Sequence, residues 1–484
     1  MPCTTILAGK KATYDGSTMI ARNEDYSYHV KKMTVILPED QPSHYKTVTT
    51  HLEFDLPEDP MRYTACPNVS KAEGAWYGSG INACNVGMTA TETITSNALV
   101  LGADPLVTLI PPEKEGDEEI PGGIGEEDFV CIVLPYVRTA REGVLRLGGL
   151  LEQYGTYEMN GIGFQDENEV WWMETIGGHH WMARRVRDEN IVIMPNQQGI
   201  DFFDFEDAFG KQEEFLCSAD LKEFVEKNFL DRNNNGKFDP RNVFGSRTDR
   251  DHAYNTPRGW FMGRYFLPTT YRWDGDNADF TPESDNIPWT FVPERKVTVE
   301  DIKYVLSSHL QGTPYDPYGK DEQKGKYRSI AVSSTGHTAI LQIRGYLPDA
   351  LKGIAWVCFG PAIYNHVIPV YAAADRVPEY LSNVTLDIST DCYYWNCRLL
   401  AAMADPHFPL CIDDIEKFQQ ETAAESHRLL KLYDEKMASG QDRSLCEEAN
   451  EQICGMFRKK MADILNKVLL TASREMKDTY HRYR

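Results

Sequence analysis

Near the start of the chain, the run Met1-Pro2-Cys3-Thr4-Thr5-Ile6-Leu7 places a cysteine that becomes residue one once the two residues before it are removed. Such a cysteine carries its own base. A free α-amine has a pKa of roughly 7.7 to 8, so near neutral pH it can take the thiol proton and leave a nucleophilic sulfur. A lone cysteine in an apolar strand is more often a small core residue, so the surroundings of Cys3 matter. Residues 3–25 read as a short strand, a turn at Asp15-Gly16-Ser17, and a second strand ending in Arg22-Asn23-Glu24-Asp25, the pattern of a hairpin. A hairpin brings the end of its second strand beside the start of its first, putting Arg22 and Asp25 within reach of Cys3. A guanidinium there favours the thiolate. Asp25 would hold the α-ammonium or orient the arginine, as a third group commonly does beside a nucleophile and its base.

The run from Cys3 to Asp25 resembles the start of the cysteine dipeptidase A family, within the N-terminal nucleophile (Ntn) hydrolases that include penicillin V acylase and the bile salt hydrolases. Further segments match in order: GINACNVGMTATETITSN from Gly80, GADPLV from Gly102, YGTYEMNGIGF from Tyr154, WWMETIGGHHWMARRV from Trp171 and MPNQQGIDFFDF from Met194. Several long matches in register are a specific signal. The resemblance implies Cys3 as nucleophile, Arg22 and Asp25 as the pair that positions it, Asn196 as the side-chain amide of an oxyanion hole, and Arg328 in YRSIAV as a second active-site arginine. It implies that the backbone N–H of Glu92 completes the oxyanion hole, at a position where the acylase relatives carry tyrosine or asparagine. Acyl transfer develops a negative oxygen, and each prepositioned donor contributes about 3 to 4 kcal/mol to the transition state.

The implied activity is hydrolysis of short peptides with a free amino terminus, through an acyl-enzyme on Cys3 and with no required cofactor. An N-acyl amidase is the alternative within the same chemistry, and a non-catalytic, unprocessed relative is the alternative outside it. Recognition of a substrate amine calls for a carboxylate. Glu92 and Glu174 are the candidates: Glu92 is assigned to selecting peptides with a free amine, and Glu174 is read as structural within its hairpin. Because Met1 and Pro2 precede Cys3, the bond before Cys3 has to break, by attack of its own thiol or by an exopeptidase.

A net charge of −23, from 73 acidic against 50 basic residues, repels phosphate backbones and anionic membrane surfaces, so neither nucleic acid nor a membrane is expected as a partner. No apolar run approaches the roughly 20 residues that span a bilayer, and no basic segment with an apolar stretch marks secretion. The cysteines number 11, an odd count scattered without a framework; this fits reduced thiols and a cytoplasmic setting. Cys392 and Cys397 bracket CYYWNC, which lacks redox or zinc spacing, and are read as core or loop thiols. His179 and His180 lie in a Gly177-Gly178 hairpin without further ligands at zinc spacing. In DRNNNGKFDPRN, Asp231, Asn233, Asn235, Gly236 and Asp239 occupy positions of an EF-hand-like loop, which makes a structural calcium a candidate. Position 12, however, is Asn242 rather than glutamate, and Pro240 is read as interrupting any following helix.

Periodicity supplies the scaffold. Residues 3 to about 100 read as short strands, 106–127 as a Pro/Gly/Glu-rich surface insertion, and 127–154 as helices broken near Pro135 and closing at Gly155. Strands resume over 161–194. Beyond about 413 two long amphipathic helices form a hairpin around Gly440. The division expected is a 3–412 core, with insertions at 106–127 and around 231–242, and a 413–484 helical hairpin packed on the core or in a homo-oligomer interface. The alternation is α/β; the four-layer αββα Ntn sandwich comes from the resemblance.

Overall fold

The computed structural model describes the chain except residues 1–2, 27–28, 71, 73, 90–91, 111–119, 234–235, 439–443 and 478–484, together with the side chain of Glu92. Helices and strands are mixed throughout, as the α/β reading requires.

The first hairpin forms as its local chemistry dictates. Strands Cys3–Ala8 and Thr18–Glu24 pair antiparallel, with Cys3 opposite Glu24 and Thr5 opposite Arg22. In the turn, Asp15 Oδ1 accepts from the Ser17 N–H and hydroxyl, and Gly16 takes φ +81°. An aspartate reaching two residues on, followed by a residue free of a Cβ penalty, is what a tight turn needs. Opposed residues share a face, so Cys3, Thr5, Arg22 and Glu24 all point the same way.

This hairpin lies at the centre of a seven-stranded antiparallel sheet ordered Thr290–Phe291, Ile191–Met194, Cys3–Ala8, Thr18–Glu24, His337–Ile343, Gly353–Phe359 and Ile368–Tyr371. A second antiparallel sheet runs Phe215–Cys217, His180–Val186, Val170–Ile176, Asn160–Gln165, Gly87–Thr89 and Ser79–Ile81, with Glu92–Thr93 beside Asn160–Gln165. Strand Thr18–Glu24 packs against Asn160–Gln165, Val170–Ile176 and Gly87–Thr89 of the second sheet. Their residues are buried on both faces, the polar Arg22, Asn23 and Glu24 included.

Helix Ala140–Tyr154 covers the second sheet. It opens on Thr139, whose hydroxyl accepts from the Glu142 N–H, and closes, as the sequence predicts, on Gly155 at φ +71°. Helices Val299–Leu306 and Tyr393–Ala404 contact the first sheet. The aromatic run around Cys392 and Cys397 is a helix start, and both cysteines are core thiols, the first of the two readings the sequence offered. Helices Phe408–Met437 and Ser444–Arg474 pack on each other, and the second also rests on Tyr393–Ala404 and strand Ile368–Tyr371. The first begins at Phe408, earlier than position 413. Gly440 lies outside the described residues.

Two local readings are corrected. The stretch 106–127 does not end as a surface loop: Glu126, Glu127 and Asp128 open the helix Glu126–Val133 and are buried. Pro240 starts a short helix, Pro240–Phe244, instead of interrupting one, and Asp239 caps it. A proline costs nothing at the first helical position, where its missing N–H has no partner in any case.

Candidate active site

Register explains how residues far apart in sequence meet at Cys3. Strand Ile191–Met194 pairs with the first strand as Ala8 opposite Ile191 through Thr5 opposite Met194. Continued past Pro195, that register sets position 196 against Cys3. The Cys3 N–H donates to Asn196 Oδ1 at 3.1 Å, and Asn196 Nδ2 donates to Thr93 O at 2.7 Å. From the other side of the hairpin, Arg22 Nη2 donates to Cys3 Sγ at 2.9 Å. The same nitrogen donates to Glu126 Oε1 at 3.0 Å, an ion pair with both side chains almost wholly buried. Burial pushes the Cys3 thiol up to about 12, with Arg22 pulling it down and Glu126 pushing it up. Burial prevails, so with its nitrogen still in a peptide bond Cys3 holds a neutral thiol beside a guanidinium.

Asp25 and Arg328 meet each other, one step removed from the sulfur. Arg328 donates to Asp25 Oδ2, the Thr335 hydroxyl donates to Asp25 Oδ1, and the Arg328 guanidinium stands 4.7 Å from the Tyr254 ring centre. The arginine that touches Cys3 and Asn196 directly is Arg258, near the start of helix Thr256–Phe266. It is fully buried. Its Nη1 donates to the Cys3 carbonyl and to Thr4 Oγ1, its Nη2 to Asn196 Oδ1 and Asn255 Oδ1, and its Nε to Tyr254 O. Asn255 in turn donates to Asn196 O and to Asp251 Oδ1. One planar fork thus satisfies acceptors from three segments at once, which a point-charge lysine could not do.

Glu174 is structural, and it secures the loop that carries Asn196. Its Oε1 accepts from Trp172 Nε1 at 2.9 Å, from the Gly199 N–H at 2.6 Å and from the Ile200 N–H at 3.3 Å. Arg241 donates twice to the Gly199 carbonyl. A Cβ on Gly199 would fall 2.4 Å from Met194 Sδ, so a larger residue there would have to displace the end of the Met194 side chain. Despite three donors, complete burial raises the Glu174 carboxyl to about 7. Glu92 sits opposite Gly161 in the strand Glu92–Thr93, and its side chain lies outside the described residues.

Next to Cys3 across the hairpin, Glu24 meets Lys31 Nζ at 2.7 Å. Burial alone would raise this carboxyl; Lys31 with His29 and His337 holds it well below the usual range.

The remaining candidates fall elsewhere. His179 and His180 each place Nδ1 on Asp104, at 2.9 and 2.7 Å, so one carboxylate holds both rings. Among the described residues no group of three or more His, Cys, Asp or Glu is placed to hold a metal ion. In the 231–242 loop, Asp231 accepts from the Asn233 N–H and Asp239 is taken up as the helix cap, while Asn235 lies outside the described residues.

Sequence reasoning missed Arg258 and Glu126. Signals existed for both: Pro257 at a helix start beside Arg258, and three acidic residues directly before the apolar run FVCIVL, a helix-opening pattern.

Residues 2–421 match the model of peptidase family C69. The chain is 47% identical to a dipeptidase of Bifidobacterium longum, with 99% of each chain covered. It is 45% identical to a probable dipeptidase A of Streptococcus pyogenes, again over 99% of each. With dipeptidase A of Lactobacillus helveticus it shares 39% identity, over 99% of this chain and 94% of the relative. On the match across most of its length and on relatives similar from end to end, this chain belongs to peptidase family C69.

Proposed function

We propose that the protein is a dipeptidase that cleaves short peptides bearing a free amino terminus, using Cys3 as an N-terminal nucleophile once Met1 and Pro2 are gone. The observation that carries this reading is the pair of contacts on Cys3: Arg22 on the sulfur at 2.9 Å and Asn196 on the nitrogen at 3.1 Å. The names of the relatives supply the substrate class. Cleavage before Cys3 turns that nitrogen into an α-amine already held by Asn196 and one residue's reach from the sulfur. The amine takes the thiol proton, and Arg22 stabilises the thiolate. The sulfur attacks the scissile carbonyl while a hydrogen of Asn196 Nδ2 and the backbone N–H of Glu92 receive the oxyanion. The amine then protonates the leaving amine, and water releases the acyl group by the reverse sequence. Arg258 fixes Asn196 and the Cys3 carbonyl in this geometry, and Asp25 with Arg328 braces the end of the hairpin.

The architecture assigned is the αββα Ntn sandwich, supported by two antiparallel sheets in contact and helices on their outer faces. The division assigned is a core with a C-terminal helical hairpin, supported by helices Phe408–Met437 and Ser444–Arg474 packing on each other, the hairpin starting a few residues before the 412/413 boundary expected from the sequence. A cytoplasmic location is supported by eleven free cysteines; among the described residues, no helix is long and apolar enough to cross a membrane.

The test is a panel of free dipeptides against their N-acylated counterparts, with Cys3→Ser as control. Turnover of the free dipeptides alone, abolished in Cys3→Ser, supports the proposal. Preference for N-acyl compounds would assign an amidase instead. The carboxylate of Glu92 is assigned to amine selection; Glu92→Gln with unchanged dipeptide KM and kcat would remove it from that role.

A further inference from the structure

Resting on the dipeptidase reading, we propose that Glu126 is a second carboxylate that receives the substrate's α-ammonium, from inside the site and through its Oε2 atom.

Geometry makes the case. In an aminoacyl group the ammonium nitrogen lies about 2.5 Å from the scissile carbonyl carbon, and a nucleophile poised to attack stands about 3 to 3.5 Å from that carbon. The ammonium of a dipeptide is therefore confined to within about 6 Å of the Cys3 sulfur, and its carboxylate partner to one charge-assisted hydrogen bond beyond that. Glu126 satisfies this. Glu126 Oε1 and Cys3 Sγ both touch Arg22 Nη2, so they stand at most about 6 Å apart.

The second observation is an unmet hydrogen-bonding need. Glu126 is 1% exposed, yet its Oε2 has no hydrogen-bond partner among the described residues. A buried carboxylate oxygen left unpaired is costly, and such exceptions call for an explanation. A ligand donor supplies one. The surroundings are acidic: Glu126, Glu127 and Asp128 follow one another at the helix start, Glu158 accepts the Glu126 N–H at 2.8 Å, and Arg22 is the cation paired with Glu126. Burial pushes Asp128 well above the usual carboxylate range and Glu158 up to about 7, and an incoming ammonium favours their ionised forms. It carries three donors, one of which Glu126 Oε2 accepts.

The experiment compares L-alanyl-L-alanine with propionyl-L-alanine, which has the same scissile amide and lacks the amine. The readout is the ratio of kcat/KM for the two substrates, measured on the full chain after mass spectrometry confirms a Cys3 N-terminus. Effects on Arg22 or on the folded fraction act on both substrates and cancel from the ratio. Glu126→Gln keeps an oxygen for Arg22 and is expected to lower the ratio by about 10- to 100-fold, the loss of one charged hydrogen bond, chiefly through the dipeptide KM. Glu126→Asp, shorter by one methylene but still charged, is expected to lower it by less, and serves if the glutamine variant does not fold. A ratio unchanged in the variants overturns the assignment, as does a wild type that treats both substrates alike. Absence of dipeptide turnover in the processed wild type instead overturns the dipeptidase reading, and this inference falls with it.

Discussion

Glu174 offers a measurable link between the buried electrostatics and the loop that holds Asn196. Its carboxyl is raised by burial to about 7 from an ordinary value of 4.5. Below the unfolded value it is protonated in both states and adds no pH dependence. As pH climbs from 4.5 to 7 the unfolded chain releases the proton while the folded chain keeps it, so stability falls. The slope is about 1.4 kcal/mol per pH unit, and the full loss of about 3 kcal/mol is reached above pH 7. Glu174→Gln removes this titration, while its amide oxygen still accepts from Trp172, Gly199 and Ile200. For a chain of this length the unfolding entropy makes 1 kcal/mol worth about 1 °C of midpoint. Thermal unfolding followed by circular dichroism at pH 4.5 and pH 8 is the assay. The midpoint of Glu174→Gln, taken relative to wild type, is expected to rise by about 3 °C between the two pH values; other titrating groups are common to both proteins and drop out. Parallel midpoint curves for the two proteins would refute the reasoning, because a carboxyl with an ordinary pKa in the fold gives no difference.

Three further outcomes follow from the same geometry. Arg258→Lys keeps the charge but cannot span Cys3 O, Asn196 and Asn255, so dipeptide kcat should fall by about 10²-fold or more; a change within threefold would mean that the fork does not position the site. Asn196→Asp preserves shape but replaces the Nδ2 donor with an acceptor facing Thr93 O, and kcat is expected to drop by about 10²- to 10³-fold, with steady-state kinetics as the check. Dialysis against EDTA should leave dipeptide turnover unchanged, since amine, thiol and amide donors carry every proposed step; activity lost while the circular dichroism stays unchanged, and restored by a divalent cation, would contradict the mechanism.

What the sequence disclosed about the site was its local part. The Asp15-Gly16-Ser17 turn and the apolar strands flanking it define the first hairpin, and from the hairpin alone Arg22 falls beside Cys3. Helix Ala140–Tyr154 was equally legible, because Gly155 and the 3.6-residue apolar spacing are local signals. Arg258 and Glu126 were not legible. Each reaches Cys3 or Arg22 across more than a hundred residues, by packing that no short-range period encodes. Their chemical types also pointed outward, since arginine and glutamate are usually solvated. The end of the 106–127 segment, Glu126 and Glu127, was misread for that reason, while Arg328, matched from its YRSIAV context, meets Asp25. Pro240 was read as a breaker where it begins a helix, an ambiguity that only the cap at Asp239 resolves.

The central claim is that catalysis waits on a free α-amine at Cys3. The most direct test is intact mass and N-terminal sequencing of the purified protein, with dipeptide turnover measured on the same sample. A chain beginning at Cys3 that hydrolyses dipeptides, alongside an inactive fraction that retains Pro2, is the predicted result. Full turnover by protein whose Cys3 nitrogen is still in a peptide bond would contradict the account.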